Sequence, residues 1–305
     1  MSRRLTDAAL RTRGLPMPDD HADKEGRGNV LVVGGSREIP GAALLAATAA
    51  LRAGAGRLTL AVPDSVAIPL GLAVPEARVI ALPETPGGGL ALAGLERLAP
   101  LAARIDAVVA GPGLMDEAAT RAFVSGLLRQ FHATVVLDAL ALGAGPDAHR
   151  DNVVMTPHAG EMAHLTGLPK AAVQADPARH ARDASTRWST GVVLKGAVTW
   201  LAFPGEPDWR HDGGDIGLAT SGSGDTLAGV LGGLAARGVP AFDAALWAVR
   251  LHAIAGERLA QRHGRLGYLA RELGDEVPAA MHALCDAAAQ GGGGPGSAAS
   301  SSSSA

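Results

Sequence analysis

The stretch "SGSGDTLAG", Ser221 to Gly229, sets one carboxylate, Asp225, behind two glycines and ahead of an apolar, helix-like run. An Asp before a helix ordinarily serves as its cap, and a cap needs neither Gly222 nor Gly224. Glycines at a helix start let successive backbone N–H groups converge on an anion, aided by the positive end of the helix dipole. Beside a bound phosphate a carboxylate would be repelled unless it had a task. Two tasks suit it: accepting the proton of a hydroxyl that attacks phosphorus, or helping to hold Mg2+. The first, with backbone groups stabilising the developing charge, fits phosphoryl transfer.

A second glycine turn, "VVGGSREIPGAALLA", lacks the dinucleotide fingerprint. After Gly34 that pattern needs glycines two and five residues on, and finds Ser36 and Ile39. No Gly-Lys-Ser/Thr occurs anywhere, which removes the P-loop. Gly34-Gly35 serves equally well as a ligand contact or as a turn that lets a helix pack closely.

The elements that must position these residues are legible as short β-branched runs: "NVLVVG", "RLTLAVP", "RVIALP", "DAVVAGP", "TVVLDA", "NVVMTP", "GVVLKG" and "VTWLAFP". Ala/Leu-rich segments between most of them are long enough for crossover helices. Apolar runs without strict alternation mark strands covered on both faces, hence a mostly parallel sheet between helices. The last two runs are separated only by Gly196-Ala197, a hairpin signal. In such a sheet ligands bind beyond the carboxyl ends of the strands. The unusual residues fall there: Gly34-Gly35-Ser36, Gly111-Pro112-Gly113, Asp138, Thr156-Pro157-His158 and Lys195-Gly196.

The chain has 305 residues and 47% hydrophobic content with only 3% aromatics, so its core is aliphatic. Its 41 glycines are nearly twice ordinary usage and suit many close backbone approaches. A net charge of −3 carries no signature of nucleic-acid or anionic-membrane binding. A single cysteine, Cys285, excludes an intrachain disulfide and fits a reducing, cytoplasmic setting. No apolar run is long enough to span a bilayer, and the basic N-terminus lacks a signal-peptide core. The expected organisation is a polar leader over 1–27, one domain over 28–286, and a disordered Gly/Ser-rich tail over 287–305.

The segment "GLATSGSGDTLAG" resembles the nucleotide site of the ribokinase-like superfamily, whose anion hole precedes a catalytic aspartate. Within it, the chain most resembles the ADP- or ATP-dependent NAD(P)H-hydrate dehydratases. The likeness runs in order through "VLVVGGSREIPGAALLAATAALRAGAG", "AVVAGPGL", "VVLDALAL", "VMTPHAGEMAHLTG", "VVLKGAVTWLA" and the glycine-aspartate segment, covering roughly Arg27 to Met281. The resemblance implies an α/β ribokinase-like three-layer sandwich. It implies Asp225 as the catalytic base near the substrate hydroxyl, with Gly222 and Gly224 at the nucleotide phosphate. Lys195, Gly196, Ala197, Val198 and Thr199 match the stretch that binds the nucleotide. Ala42, Gly113 and His158 match positions contacting the hydrated dinucleotide. The implied reaction phosphorylates the ring hydroxyl of hydrated NADH or NADPH and then eliminates phosphate, the work of a carbon–oxygen lyase in metabolite repair. Mg2+, ADP or ATP as co-substrate, and a homo-oligomer, a tetramer in relatives, come with it.

Other residues divide between structural and functional readings. Lys195, one of three lysines, is either a solvated strand-end residue or a ligand contact. His158 with Glu161 suggests a metal pair, but no cysteine or second histidine completes a zinc set, and Glu161 equally favours the first turn of a helix. Asp138 is either polar support beside substrate or Mg2+, or a packing residue. Leu140 stands where many relatives carry an acidic residue or Gly. Asp215 stands where relatives usually have Asn, its charge open to offset by Arg210 or His211. "FDAALWAVRLHAIAGERLAQRHG" reads as a long amphipathic helix whose Trp247 and Leu251 serve core or subunit contact.

Two rival functions share the same residues. A small-molecule alcohol kinase, of hydroxymethylpyrimidine or hydroxyethylthiazole type, would keep Asp225 and its anion hole and release a phosphorylated product. A catalytically silent nucleotide sensor would bind without turnover. "TPHAGE" and "PGAALLAATAALRAGAG" favour the dehydratase.

Overall fold

The computed structural model describes residues 2–16 and 26–291. Among these residues, ten strands form one sheet: β1 (Arg3–Arg4), β2 (Asn29–Val33), β3 (Arg57–Pro63), β4 (Ala77–Leu82), β5 (Ala107–Ala110), β6 (Thr134–Leu137), β7 (Val153–Met155), β8 (Gly191–Leu194), β9 (Thr199–Ala202) and β10 (Trp209–His211). Their order is β1-β10-β9-β8-β7-β6-β5-β2-β3-β4. From β8 across to β4 every pairing is parallel, while β9 pairs antiparallel with both β8 and β10. All eight runs read from the sequence are strands, and the hairpin is β8–β9. The two short strands at one end of the sheet, β1 and β10, gave no comparable apolar signal.

Among the described residues, eleven α-helices surround the sheet: α1 (Asp7–Arg11), α2 (Pro40–Arg52), α3 (Asp64–Ala73), α4 (Leu95–Leu98), α5 (Glu117–Gln130), α6 (Ala159–Thr166), α7 (Lys170–Ala175), α8 (Pro177–Trp188), α9 (Ser223–Ala236), α10 (Ala241–His263) and α11 (Ala270–Gly291). Strand residues alternate between two cores, as the pleat requires. Val30, Val32, Val109, Val136 and Val154 pack with α2, α9, α10 and α11 on one face. Leu31, Val33, Val108, Val135 and Met155 pack with α5 and α8 on the other. Both faces are therefore dry, which accounts for strands without a polar side.

Helix α9 is buried along almost its whole length, and its glycines are the reason it fits. A Cβ at Gly229 would stand 2.2 Å from the Ala46 carbonyl oxygen, and one at Gly233 2.3 Å from that of Ala50. A Cβ at Gly232 would stand 2.1 Å from Val109 on the sheet side. The helix thus lies backbone to backbone on α2 while an adjacent face rests on β5.

The leader is more than a polar lead-in. β1 pairs in parallel with β10, and Thr6 caps α1. Leu5, Leu10 and Leu15 are buried. The Arg13 guanidinium sits 5.5 Å from the Trp209 ring centre and 4.9 Å from that of Phe242, within cation–π range. Trp247, 1% exposed, donates its indole N–H to the Arg13 carbonyl and belongs to the core. At the other end α11 runs to Gly291, so 287–291, assigned to the tail from sequence, are helical. Residues 17–25 of the leader and 292–305 of the tail lie outside the described residues.

Replacing Gly229 by Val should destabilise the fold by about 1–3 kcal/mol through overpacking against α2. Urea unfolding measures this, and an unchanged midpoint would show that α2 and α9 can separate without cost.

Candidate functional site

From β2 the chain builds outward to β4, then returns to β5 on the other side of β2. That reversal makes the β2/β5 tips a topological switch point, where open α/β sheets bind ligands. Gly35 N–H donates to the Pro112 carbonyl at 2.7 Å, and a Cβ at Gly34 would stand 2.5 Å from the same oxygen. Gly113 holds a φ of 71°, and a Cβ there would meet Ile39 O at 2.4 Å and Ala42 Cβ at 2.9 Å. The two positions matched to the hydrated dinucleotide, Ala42 and Gly113, are thus neighbours on one rim of this crevice.

The opposite rim is charged. Asp138, 3% exposed, follows β6 and accepts hydrogen bonds through Oδ1 from Lys195 Nζ at 2.8 Å and Thr156 Oγ1 at 2.7 Å. A buried carboxylate so placed needs both partners. Thr156 follows β7 and is fully buried. The sequence marked it as a strand-end residue without giving it this role, for which "TP" beyond a strand was the only signal.

Lys195 reaches Asp138 from the end of β8, where its backbone N–H donates to the Pro157 carbonyl at 2.8 Å. Burial works against its charge. The carboxylates of Asp138, Glu161 and Asp225 outweigh that effect and raise its pKa above the ordinary lysine value.

Gly224 lies directly over this pair: a Cβ there would stand 3.1 Å from Lys195 Nζ and 3.6 Å from Asp138 Oδ2. Gly222 is the N-cap of α9 with φ 88°, a left-handed conformation that suits glycine. Asp225 stands in the first turn, and no hydrogen bond to its side chain is found among the described residues. It therefore does not cap its own helix. Burial first, then the Asp138 and Glu161 charges, push its carboxyl up to about 7 against the pull of Lys195. The arrangement is a proton acceptor poised near neutrality beside free helix N–H groups.

His158 and Glu161 form a capping box at the start of α6. His158 Nδ1 accepts from Gly160 N and Glu161 N, both at 3.0 Å, and Glu161 Oε2 accepts from His158 N at 2.7 Å. The accepting Nδ1 fixes the neutral tautomer with its proton on Nε2, and the side chain is 60% exposed. Gly196, Ala197 and Val198 form the β8–β9 turn beyond Lys195, and Thr199 opens β9, in register with His211 of β10. These four stand on the same hairpin as Lys195. Leu140 lies in the 3-10 turn Ala139–Asp147 that follows Asp138.

Asp215 is answered neither by Arg210 nor by His211. Its Oδ1 accepts from Gly217 N at 3.0 Å, and its Oδ2 pairs with Arg265 Nε at 3.0 Å. The Gly217 N–H first, and then Arg265, hold its pKa below the usual carboxylate value.

Among the described residues no three His, Cys, Asp or Glu side chains are grouped to hold a metal by themselves. Asp138 Oδ2 and Glu161 Oε1 make no hydrogen bond among the described residues. A few hard oxygens of this kind suit Mg2+ arriving on nucleotide phosphates rather than a caged ion.

Comparison with known proteins agrees with this geometry. The family model described as NAD(P)H-hydrate dehydratase matches residues 30–279. The chain is 49% identical over 283 residues to the ADP-dependent (S)-NAD(P)H-hydrate dehydratase of Xanthomonas campestris, covering 92% of this chain and 97% of that protein. Bifunctional NAD(P)H-hydrate repair enzymes also match, and against one such relative the chain spans 54% of its length. Among solved structures, the ADP/ATP-dependent NAD(P)H-hydrate dehydratase of Bacillus subtilis, co-crystallized with ATP/Mg2+, superposes with a TM-score of 0.80 at 30% identity, covering 93% of this chain and 99% of that one. A ribokinase-like superfamily protein of Enterococcus faecalis gives 0.79 at 26% identity, covering 93% and 96%. The chain belongs to the NAD(P)H-hydrate dehydratase family and has its ribokinase-like fold.

Proposed function

We propose that the protein dehydrates the S form of hydrated NADH and NADPH, with ADP, or ATP in its place, supplying a phosphoryl group. The observation that carries this reading is the position of Asp225: a carboxyl with a pKa of about 7, at the head of α9, beside Gly224 and the Lys195–Asp138 pair. Hydroxide is a poor leaving group and phosphate a good one. Asp225 takes the proton of the ring hydroxyl as its oxygen attacks the terminal phosphorus, and the shortened nucleotide leaves. The ring nitrogen's electron pair then expels phosphate, and loss of a proton from the adjacent carbon restores the double bond.

Each part of the crevice has work in this scheme. The N–H groups at the Gly222–Gly224 turn and the Lys195 ammonium receive the negative charge that develops on the transferred group. Lys195, Gly196, Ala197, Val198 and Thr199 hold the nucleotide along the β8–β9 hairpin. Ala42, Gly113 and the outward Nε2–H of His158 contact the hydrated dinucleotide. Asp138 and Glu161 would hold Mg2+ together with the phosphates, and the ion would offset charge on the phosphoryl oxygens. No helix among the described residues is long and apolar enough to cross a membrane. A cytoplasmic location beside the nicotinamide nucleotide pool suits this chemistry.

The direct test is incubation with (S)-hydrated NADH and ADP or ATP, following the absorbance of regenerated NADH. Recovery is expected. No recovery with either nucleotide, alongside phosphorylation of a thiazole or pyrimidine alcohol, would replace this reading with the kinase. D225N should lower turnover by at least about a hundredfold, in the range of a lost general base, while nucleotide binding by calorimetry survives. The rate should rise with pH up to about 7 and level off above it, because the proton acceptor must be ionised.

The same carboxyl affects stability with a definite sign. Folded, it keeps its proton to about pH 7; unfolded, it loses it near ~4. The unfolded state therefore binds fewer protons between those values, and this group subtracts stability as pH rises across them. D225N should flatten that slope in thermal melts.

We also propose a homo-oligomer, a tetramer, supported by the exposed apolar residues Ile68 and Leu72 on α3, at 77% and 81% exposure. Light scattering should give a multiple of the 30.6 kDa chain mass, and L72D should reduce it. A monomeric wild-type protein would overturn the proposal.

A further inference from the structure

One imidazole outside the glycine-aspartate segment holds that segment in place. His252 lies on α10, and its Nε2 is 2.9 Å from Ser223 Oγ and 3.0 Å from the Ser223 carbonyl oxygen. Ser223 is the first residue of α9 and is 5% exposed. Removal from solvent first, then the Lys195 and His211 charges, push the His252 pKa down to about 4, so the ring is neutral in ordinary buffers. A neutral imidazole has one N–H. Because a carbonyl oxygen can only accept, that hydrogen is on Nε2, donated to the Ser223 carbonyl and shared with Oγ.

The peptide bond between Ser223 and Gly224 is planar and trans, so its C=O and N–H point in opposite directions. Fixing the Ser223 carbonyl on His252 therefore fixes the direction of the Gly224 N–H. That N–H belongs to the residue lying over Lys195 Nζ and Asp138. We infer that His252 is a positioning residue for the anion hole: from α10 it orients the peptide whose N–H meets the phosphoryl group transferred to substrate. The inference rests on the dehydratase reading of the site, with the β-phosphate of ADP as the group received. His252 touches neither substrate nor nucleotide in this assignment and acts through the Ser223–Gly224 peptide alone.

Two substitutions separate the hydrogen bond from the volume of the ring. His252→Leu fills the space without a donor, and His252→Gln keeps an N–H at a similar distance from the backbone. Turnover of hydrated NADH with ADP, the KM for each substrate, and calorimetric binding of ADP and AMP are measured on the full chain. His252→Leu should lower kcat by about tenfold or more, somewhat less than outright loss of an oxyanion donor. It should weaken ADP binding relative to AMP, which lacks the transferred phosphate, and leave the KM for the hydrate within about twofold. His252→Gln should restore most of the loss.

Equal loss of ADP and AMP affinity, an unchanged kcat in the Leu variant, or a Gln variant no better than Leu would overturn the assignment. Should His252→Leu fail to fold, His252→Met, equally without a donor, decides by the same comparison. Failure of the dehydratase reading is told apart by the wild-type protein, which would then regenerate no NADH at all.

Discussion

One ammonium group holds the crevice together. Lys195 is the positive charge set among Asp138, Glu161 and Asp225, and it is deeply placed. Three carboxylates facing one crevice repel one another, and in a medium less polar than water that repulsion is strong. Lys195 relieves it unequally. It bonds Asp138 directly, leaving Asp225 with through-space attraction that burial and the other carboxylates exceed. From that imbalance comes a carboxyl at the head of α9 that titrates near neutrality.

The division explains how neighbouring aspartates can serve different ends. Asp138 has Thr156 and Lys195 as partners on a rigid strand end, so its carboxylate is held in one orientation. Asp225 has no hydrogen-bond partner among the described residues and stands where a hydroxyl can approach. The absence of a side chain at Gly224 lets helix backbone come within reach of the Lys195–Asp138 pair. A methyl group there would crowd the ammonium, 3.1 Å from its carbon.

Much of this was legible in the sequence because parallel sheets write themselves plainly. Double-sided burial produces the continuous apolar runs that became β2 to β9, and strand tips are the natural place for glycine, aspartate and lysine. The glycine pair before Asp225 signalled an anion site because a cap alone would not require it. Other features depend on contacts distant in sequence, which no local pattern records. Thr156 gains meaning only when β6 and β7 lie side by side. His252 sits in an unbroken amphipathic pattern, where a histidine looks like any half-buried residue. Arg265 answers Asp215 from 50 residues away, so neither nearby candidate, Arg210 nor His211, was correct. The leader resisted reading because two residues of strand and five of helix carry too little periodicity, although Leu5, Leu10 and Leu15 complete the core.

The notched contact of α9 against α2 also bears on how the protein can respond to a ligand. With Gly229 and Gly233 seated on carbonyl groups of α2, and Gly232 pressed on Val109, a small rotation or axial shift of α9 would drive main chain into main chain. The N-terminal end of the helix is accordingly a fixed anvil. Any tightening around a bound ligand would fall to segments outside that seam.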